Sequence, residues 1–279
     1  MSAQEQPVFD GSSGPAWKPY DENASHELVL DPDVLAAELA QELLGDPLDD
    51  IEPDEIASAD AAAECDLGLT LLGGDHDARL QGLRIFCEHR DPRAIPRLLP
   101  LLEAPCPIER MSAVYALGRN PTPLAVEPLL ALLASDSNGY VRKAVAWSLA
   151  NFADAPVLHP LIRSLQVDVA AVRLWAATSL SDVGATGPAK ADPAAAQLLQ
   201  SLRIDSEAAV RSNSAWALGR LYPDLIEPRQ QAVVQALLQT LLADSEASVR
   251  DEARLALEQL EQPQVLEQLQ TLVDEGLLN

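Results

Sequence analysis

An all-α chain is predicted, wound as a right-handed α-solenoid of about six helix pairs behind an acidic N-terminal extension, and three observations carry that prediction. The first is a frame. Arg79, Arg110, Arg142, Arg173, Arg211 and Arg250 are each followed by small residues and an apolar residue in register, at steps of 31, 32, 31, 38 and 39 residues. A fixed period in this range marks stacked supersecondary units, none of which buries its apolar face without its neighbours. The second is composition: 48% hydrophobic residues with only 4% aromatics, dominated by Leu and Ala, favours helix over sheet. The third is the punctuation between apolar stretches, where Asp136-Ser137, Asp205-Ser206 and Asp244-Ser245 offer a side-chain oxygen to cap the following helix.

Taken in order, residues 1–53 form the extension. Gly11, Ser12, Ser13, Gly14, Pro15 and Pro19 break any periodicity in residues 1–30, although Phe9, Trp17 and Tyr20 lie among them. Asp31-Pro32 then starts a short helix with Val34, Leu35, Leu39, Leu43 and Leu44 on one face, and Gly45 closes it. Residues 54–279 form the repeat body. An acidic helix over 54–72 ends at Gly73-Gly74, and regular units follow. Outer helices are expected at Ile95–Leu102, Ala125–Leu133, Val157–Leu165, Ala194–Leu202 and Val233–Leu241, with a capping helix at Val265–Val273. The arginine helices alternate with them and are expected to stop near Gly118, Gly184 or Gly219. The two longer steps coincide with Gly184–Asp192 and Leu221–Glu227, which are rich in turn formers and are expected as loop insertions.

Charge is unevenly placed. The chain carries −24 in all, but residues 1–78 hold 20 acidic residues against the single base Lys18, while residues 79–279 hold 23 acidic and 18 basic residues. Such an acidic chain is not built to release counterions from a nucleic acid backbone. No apolar run approaches the roughly 18 residues of a membrane-spanning helix, so no membrane span is expected. Cys65, Cys87 and Cys106 are odd in number and widely spaced, which argues against a disulfide framework and fits a reducing, cytoplasmic setting.

The repeat lines Arg110–Gly118 with Ala125–Leu130, Val141–Leu149 and Val210–Gly219 follow a Val-Arg-x-x-Ala-Ala-x-Ala-Leu-Gly and Ala-Val-x-Pro-Leu-Leu pattern. This pattern resembles the HEAT-like repeats of the phycobilisome-lyase (E/F-type) family of cyanobacteria. The resemblance spans about residues 75–275. It implies an armadillo-type stack of HEAT-like pairs, and a family that includes lyase subunits, assembly chaperones, iron–sulfur scaffolds and a di-iron hydroxylase.

With the repeat arginine at position zero and 100° per residue, positions −1, +3, +6 and +7 cluster on one buried stripe. Positions −2, +1, +2, +5 and +9 point the other way, where a soluble helix is polar. Here they include Tyr140 at −2, Met111 and Leu174 at +1, Trp175 and Asn213 at +2, and Tyr115, Trp147 and Trp216 at +5. Arg119, Lys143, Asn151 and Arg220 lie between them. The resemblance implies that these offsets line the concave side of the arc. Two placements satisfy the sequence: the rings pack between adjacent units, or they form an aromatic and basic groove for a protein client. By resemblance, that client is a phycobiliprotein or a bilin lyase component. The repeat arginines are expected instead to pair with turn aspartates of neighbouring units as a structural ladder.

Candidate chemistry is sparse. His26, His76, His89 and His159 make no helical i, i+4 pair, and His26-Glu27 is the lone His-Glu doublet, outside the repeats, so a di-iron site is not expected. No phosphate loop or nucleophilic triad stands out, and no catalytic residue is assigned. The cysteines leave two readings open. Cys65, Cys87 and Cys106 are small buried hydrophobes in one and, with a fourth ligand from elsewhere, thiolate ligands of an iron–sulfur cluster in the other. A bilin lyase subunit is the third functional alternative, beside the adaptor or chaperone and the cluster scaffold.

Overall fold

A computed structural model describes residues 59–278. The extension over residues 1–53, with its expected helix from Asp31 to Gly45, lies outside the described residues. Among those described, every regular element is helical. The arginine helices are α2 (His76–Glu88), α4 (Pro107–Arg119), α6 (Gly139–Ser148), α8 (Ala170–Gly184), α10 (Ala208–Leu221) and α12 (Ala247–Gln259). Each follows an outer helix: α1 (Ala59–Leu71), α3 (Ile95–Leu98), α5 (Val126–Ser135), α7 (Leu158–Val167), α9 (Pro188–Ile204) and α11 (Glu227–Ala243). A last outer helix, α13 (Pro263–Asp274), ends the stack without an arginine helix of its own.

Six pairs in two layers make an α-solenoid, and the layers differ. Neighbouring arginine helices pack extensively on one another, whereas neighbouring outer helices touch sparingly. The layer with the closer spacing is the inner side of a curved stack, so the arginine helices line the concave face. Glycines permit that closeness. A Cβ on Gly118 would come within 2.8 Å of both the Ser148 Oγ and the Trp147 ring, and one on Gly219 within 3.2 Å of the Ala256 Cβ. The arginine helices stop near these glycines as expected, α4 at Arg119, α8 at Gly184 and α10 at Leu221, and at Gly118 and Gly219 the missing side chain also serves helix contact.

The two long steps correct part of an expectation. The extra length lies in N-terminal turns of α9 and α11, each 17 residues long, so that Pro188–Asp192 is helix rather than loop, while residues 222–226 stay a connection between helices with a 3-10 turn at Tyr222–Asp224. Gly187-Pro188 and Glu227-Pro228 place proline in the first helical turn, where its missing N–H is no loss and its fixed φ favours helix. The added turns are tied down as well. Arg229 of α11 donates to Asp192 of α9 at 2.8 Å, and the Lys190 ammonium reaches the Ala153 carbonyl of the preceding unit. In the opposite direction, Pro96 and Pro100 shorten α3 to one turn that continues as a 3-10 helix, Leu99–Glu103.

The arginine ladder forms along one edge. The guanidinium of Arg110 donates to Asp136 at 2.7 and 2.9 Å, Arg142 to Asp168, Arg173 to Asp205 and Arg211 to Asp244. In each case a second arm of the same guanidinium bonds the carbonyl that opens its own turn, at Ala104, Asp136, Asp168 and Asp205. The aspartates also accept N–H groups at the start of their own arginine helices, from Asn138, Val169, Glu207 and Glu246. One carboxylate thus caps its own unit and holds the previous one. The first rung departs: Arg79 pairs at 2.8 Å with Glu109 on α4, because the Ala104-Pro105 turn offers no acid.

Candidate binding surface

The expected groove residues all lie on the inner helices, at three depths. Met111 and Tyr115 are core, 6% and 1% exposed, and correct the expectation that they face an open groove. The helical wheel gives the direction of a side chain on its own helix, but not what the next helix lays over it. Here the Trp147 ring stands edge-on to Tyr115, with centroids 5.4 Å apart, and covers it. Tyr140, Lys143, Trp147, Leu174, Trp175, Asn213, Trp216 and Arg119 are half-buried. Asn151 and Arg220 are exposed.

Trp147, Lys143, Asn213 and Arg220 each reach across to a neighbouring helix and join these residues into a strip. Lys143 of α6 holds its ammonium 6.0 Å from the centre of the Trp175 ring on α8. The Asn213 amide of α10 donates to the Leu174 carbonyl and the Thr178 hydroxyl of α8 at 2.8 and 2.5 Å. Arg220 stacks 4.9 Å over the Trp216 ring and pairs with Asp182 of α8 at 3.0 Å. Cations placed this way keep a ring's face polarised and its edge available. Asp182 and Thr178 belong to the strip although sequence reasoning passed over them; both occupy facing positions, +9 and +5, which was the available signal.

Electrostatics change along the strip. In the four central units the facing positions hold Arg119, Lys143 and Arg220 against the single carboxylate Asp182. The last unit presents Asp251 and Glu252 at the same offsets. Burial alone raises the Glu252 carboxyl above its ordinary value. A basic, aromatic centre therefore sits within a chain of strongly negative net charge.

The cysteines do not gather. Cys65 is buried on α1, and burial, reinforced by Asp91, raises its thiol pKa. Cys87 is buried on α2 and donates its S–H to the Ser112 carbonyl at 3.6 Å, while Cys106 stands at the N-cap of α4. Among the described residues no group of three or more His, Cys, Asp or Glu is placed to share a metal ion. Cys65 and Cys87 sit as small buried hydrophobes, Cys87 directed into the α2–α4 contact. His76 and His89 bond Glu109 and Glu64 at 3.1 and 2.6 Å as separate pairs. None of the helices described is long and apolar enough to cross a membrane.

A family model for HEAT repeats matches residues 69–150 and 126–219, together more than half of the chain. No curated protein matches it significantly. Solved structures similar to this chain include a designed armadillo repeat protein in complex with the peptide (KR)4, at TM-score 0.54 and 20% identity over 71% of this chain and 99% of that one. Another is the karyopherin Kap121p bound to the extreme C-terminus of the protein phosphatase Cdc14p, at TM-score 0.57 and 13% identity, covering 81% of this chain and 28% of that one. A second designed armadillo repeat protein matches at TM-score 0.51 and 20% identity, over 71% and 99% of the two chains. At these identities the likeness is one of fold.

Proposed function

Because the chain belongs to the HEAT-repeat family, we propose that it is a non-catalytic scaffold whose concave strip holds a segment of a partner protein. One observation carries this reading: Trp147, Trp175 and Trp216, three of the chain's four tryptophans, lie half-buried in a row on the inner helices, with Lys143 and Arg220 against two of the rings. Large rings beside cations on a concave face are the residues that dominate protein-binding energy. A regular array presents them over a long contact without large rearrangement. The armadillo and karyopherin structures named above hold a peptide and a chain terminus, and the same use of the fold is proposed here.

The partner segment would carry carboxylates next to apolar or aromatic side chains, to match the basic centre of the strip. On the repeat consensus, the client we propose is a phycobiliprotein or a bilin lyase component, held as a chaperone holds it; titrating a purified phycobiliprotein onto the immobilised chain checks that assignment. The groove itself is tested by Trp175→Ala combined with Trp216→Ala. Expected is a loss of partner retention of at least about tenfold, the weight of a single hot spot, with unchanged helical circular dichroism. Full retention by the double variant would remove the strip as the binding surface.

A further inference from the structure

We infer that the chain's own N-terminal segment, Val8 to Glu27, occupies the concave strip and competes with the partner. This rests on the reading of the strip as a protein-binding groove and names its resident occupant.

The complementarity is local. The segment interleaves aromatic and acidic side chains: Phe9 with Asp10, then Trp17 and Tyr20 with Asp21 and Glu22, and Glu27 beyond. The strip interleaves rings and cations: Trp147, Lys143, Trp175, Trp216 and Arg220, with Arg119 at its edge. The segment can set carboxylates against those cations and rings against the half-buried indoles. Charge distribution selects the site further. Residues 1–58 hold fifteen carboxylates and one lysine; the first inner helix sets Asp77 and Glu88 against Arg84 and the last presents Asp251 and Glu252, so the central units, with three cations against Asp182, are where an acidic segment is least repelled. Reach is sufficient. The thirty-one residues between Glu27 and the start of α1 at Ala59 span about 80 Å even with the predicted helix from Asp31 to Gly45 formed, while five steps between neighbouring inner helices at about 10 Å each cover about 50 Å.

Tethering makes the occupancy effective even where each contact is weak, because a linker of this length holds the segment near its site at about millimolar concentration. A partner must then displace it. The consequence is a groove gated by salt and by charge changes in the segment.

The chain has three lysines, Lys18, Lys143 and Lys190, and that scarcity permits a test on the unaltered protein. A carbodiimide activates carboxylates, and a lysine amine in contact displaces the activating group to leave an isopeptide bond with no spacer. The dilute full-length chain is treated, the monomer isolated, and the linked peptides identified by mass spectrometry. Expected are bonds from Lys143 to Asp10, Asp21, Glu22 or Glu27, falling at least about fivefold between about 50 and 500 mM NaCl as screening shortens from about 14 to about 4 Å. Lys190, held against the Ala153 carbonyl away from the strip, is expected to give none with that segment.

The inference is overturned if Lys143 couples only to carboxylates of residues 59–278 or to none, if Lys190 links to the segment as readily, or if the bonds join two chains and appear only in dimers. Those failures are distinct from failure of the groove. A double tryptophan variant that loses its partner, alongside a Lys143 that never meets the segment, would leave the groove standing and remove its resident occupant.

Discussion

The ladder edge and the concave strip both use arginine, and they use it in opposite ways. On the edge, Arg142 spends three donors on fixed acceptors, two on Asp168 and one on the Asp136 carbonyl, with its side chain 17% exposed. On the strip, Arg220 lies over a ring and shares an exposed pair with Asp182. A guanidinium largely buried with three N–H groups on fixed acceptors offers little to a ligand, whereas an exposed one resting on an indole face still presents N–H groups to solvent. The lesson is that the residue repeated in every unit builds the stack, and the residues that break the repeat mark the surface that differs from one unit to the next.

The largest expected effect breaks the ladder alone. Arg142→Leu strands the Asp168 carboxylate, which is 11% exposed and keeps one backbone donor, from Val169. A loss of about 3 kcal/mol is expected, and at about 2–4 °C per kcal/mol for a chain of this size that is a fall of roughly 6–12 °C in melting temperature. Adding Asp168→Leu should restore much of it, since an apolar pair leaves no buried charge unmatched. Partner retention, measured at a temperature where the variant is folded, should not change. A ladder variant that melts normally but loses its partner would invert the division between edge and strip.

Next in size is Trp147→Ala, which touches both roles. The ring covers Tyr115 and fills the space left by Gly118, so its removal opens a partial cavity at the inner-helix contact. About 2 kcal/mol of stability should go with it, less than the 3–5 of a fully buried ring. Trp216→Ala has no such ring beneath it and should lose about 1 kcal/mol or less while weakening partner binding as much. Calorimetry of the two variants beside their retention assays separates support from recognition.

Much of this was legible before any coordinates, and the misses have physical causes. The Arg79–Arg250 frame revealed the stack because a ladder needs one residue in one place in every unit. The long step at Gly187-Pro188 misled because the same dipeptide suits a turn and the first turn of a helix; only the neighbours, through Arg229 and Asp192, decide. Gly118 and Gly219 do stand within two residues of their helix ends, but a sequence shows that glycine is present, not which helix leans against it. Met111 and Tyr115 were misplaced for the same reason. A wheel describes one helix, and burial on the strip is set by two.

A third, smaller effect concerns acid. The Asp244 carboxyl is held below its ordinary value, first by the hydrogen bonds from Arg211, and Asp192 likewise by Arg229. A depressed folded-state pKa means stabilisation that is complete above the unfolded value of about 3.9 and is lost as pH falls through it toward the folded value. The melting temperature should therefore hold down to about pH 5 and drop below about pH 4. Asp244→Asn should start lower at neutral pH and fall less steeply in acid.

The smallest effect lies where the strip turns acidic. Glu252 occupies in the last unit the +2 position that Trp175 fills in the fourth, and burial raises its carboxyl pKa without a partner cation among the causes. The sign is opposite to that of the ladder acids: a raised folded-state pKa means that ionisation works against folding, fully so above the folded value and not at all below the unfolded one. Glu252→Gln should accordingly raise the melting temperature by about 1 °C at pH 7, as a fraction of a kcal/mol does in a chain of this size, and leave it unchanged near pH 4. If the variant also lowers the yield of bonds between Lys143 and the segment, negative charge at the last unit is part of what centres an acidic segment on the tryptophans; an unchanged yield assigns the centring to Lys143, Arg119 and Arg220 alone.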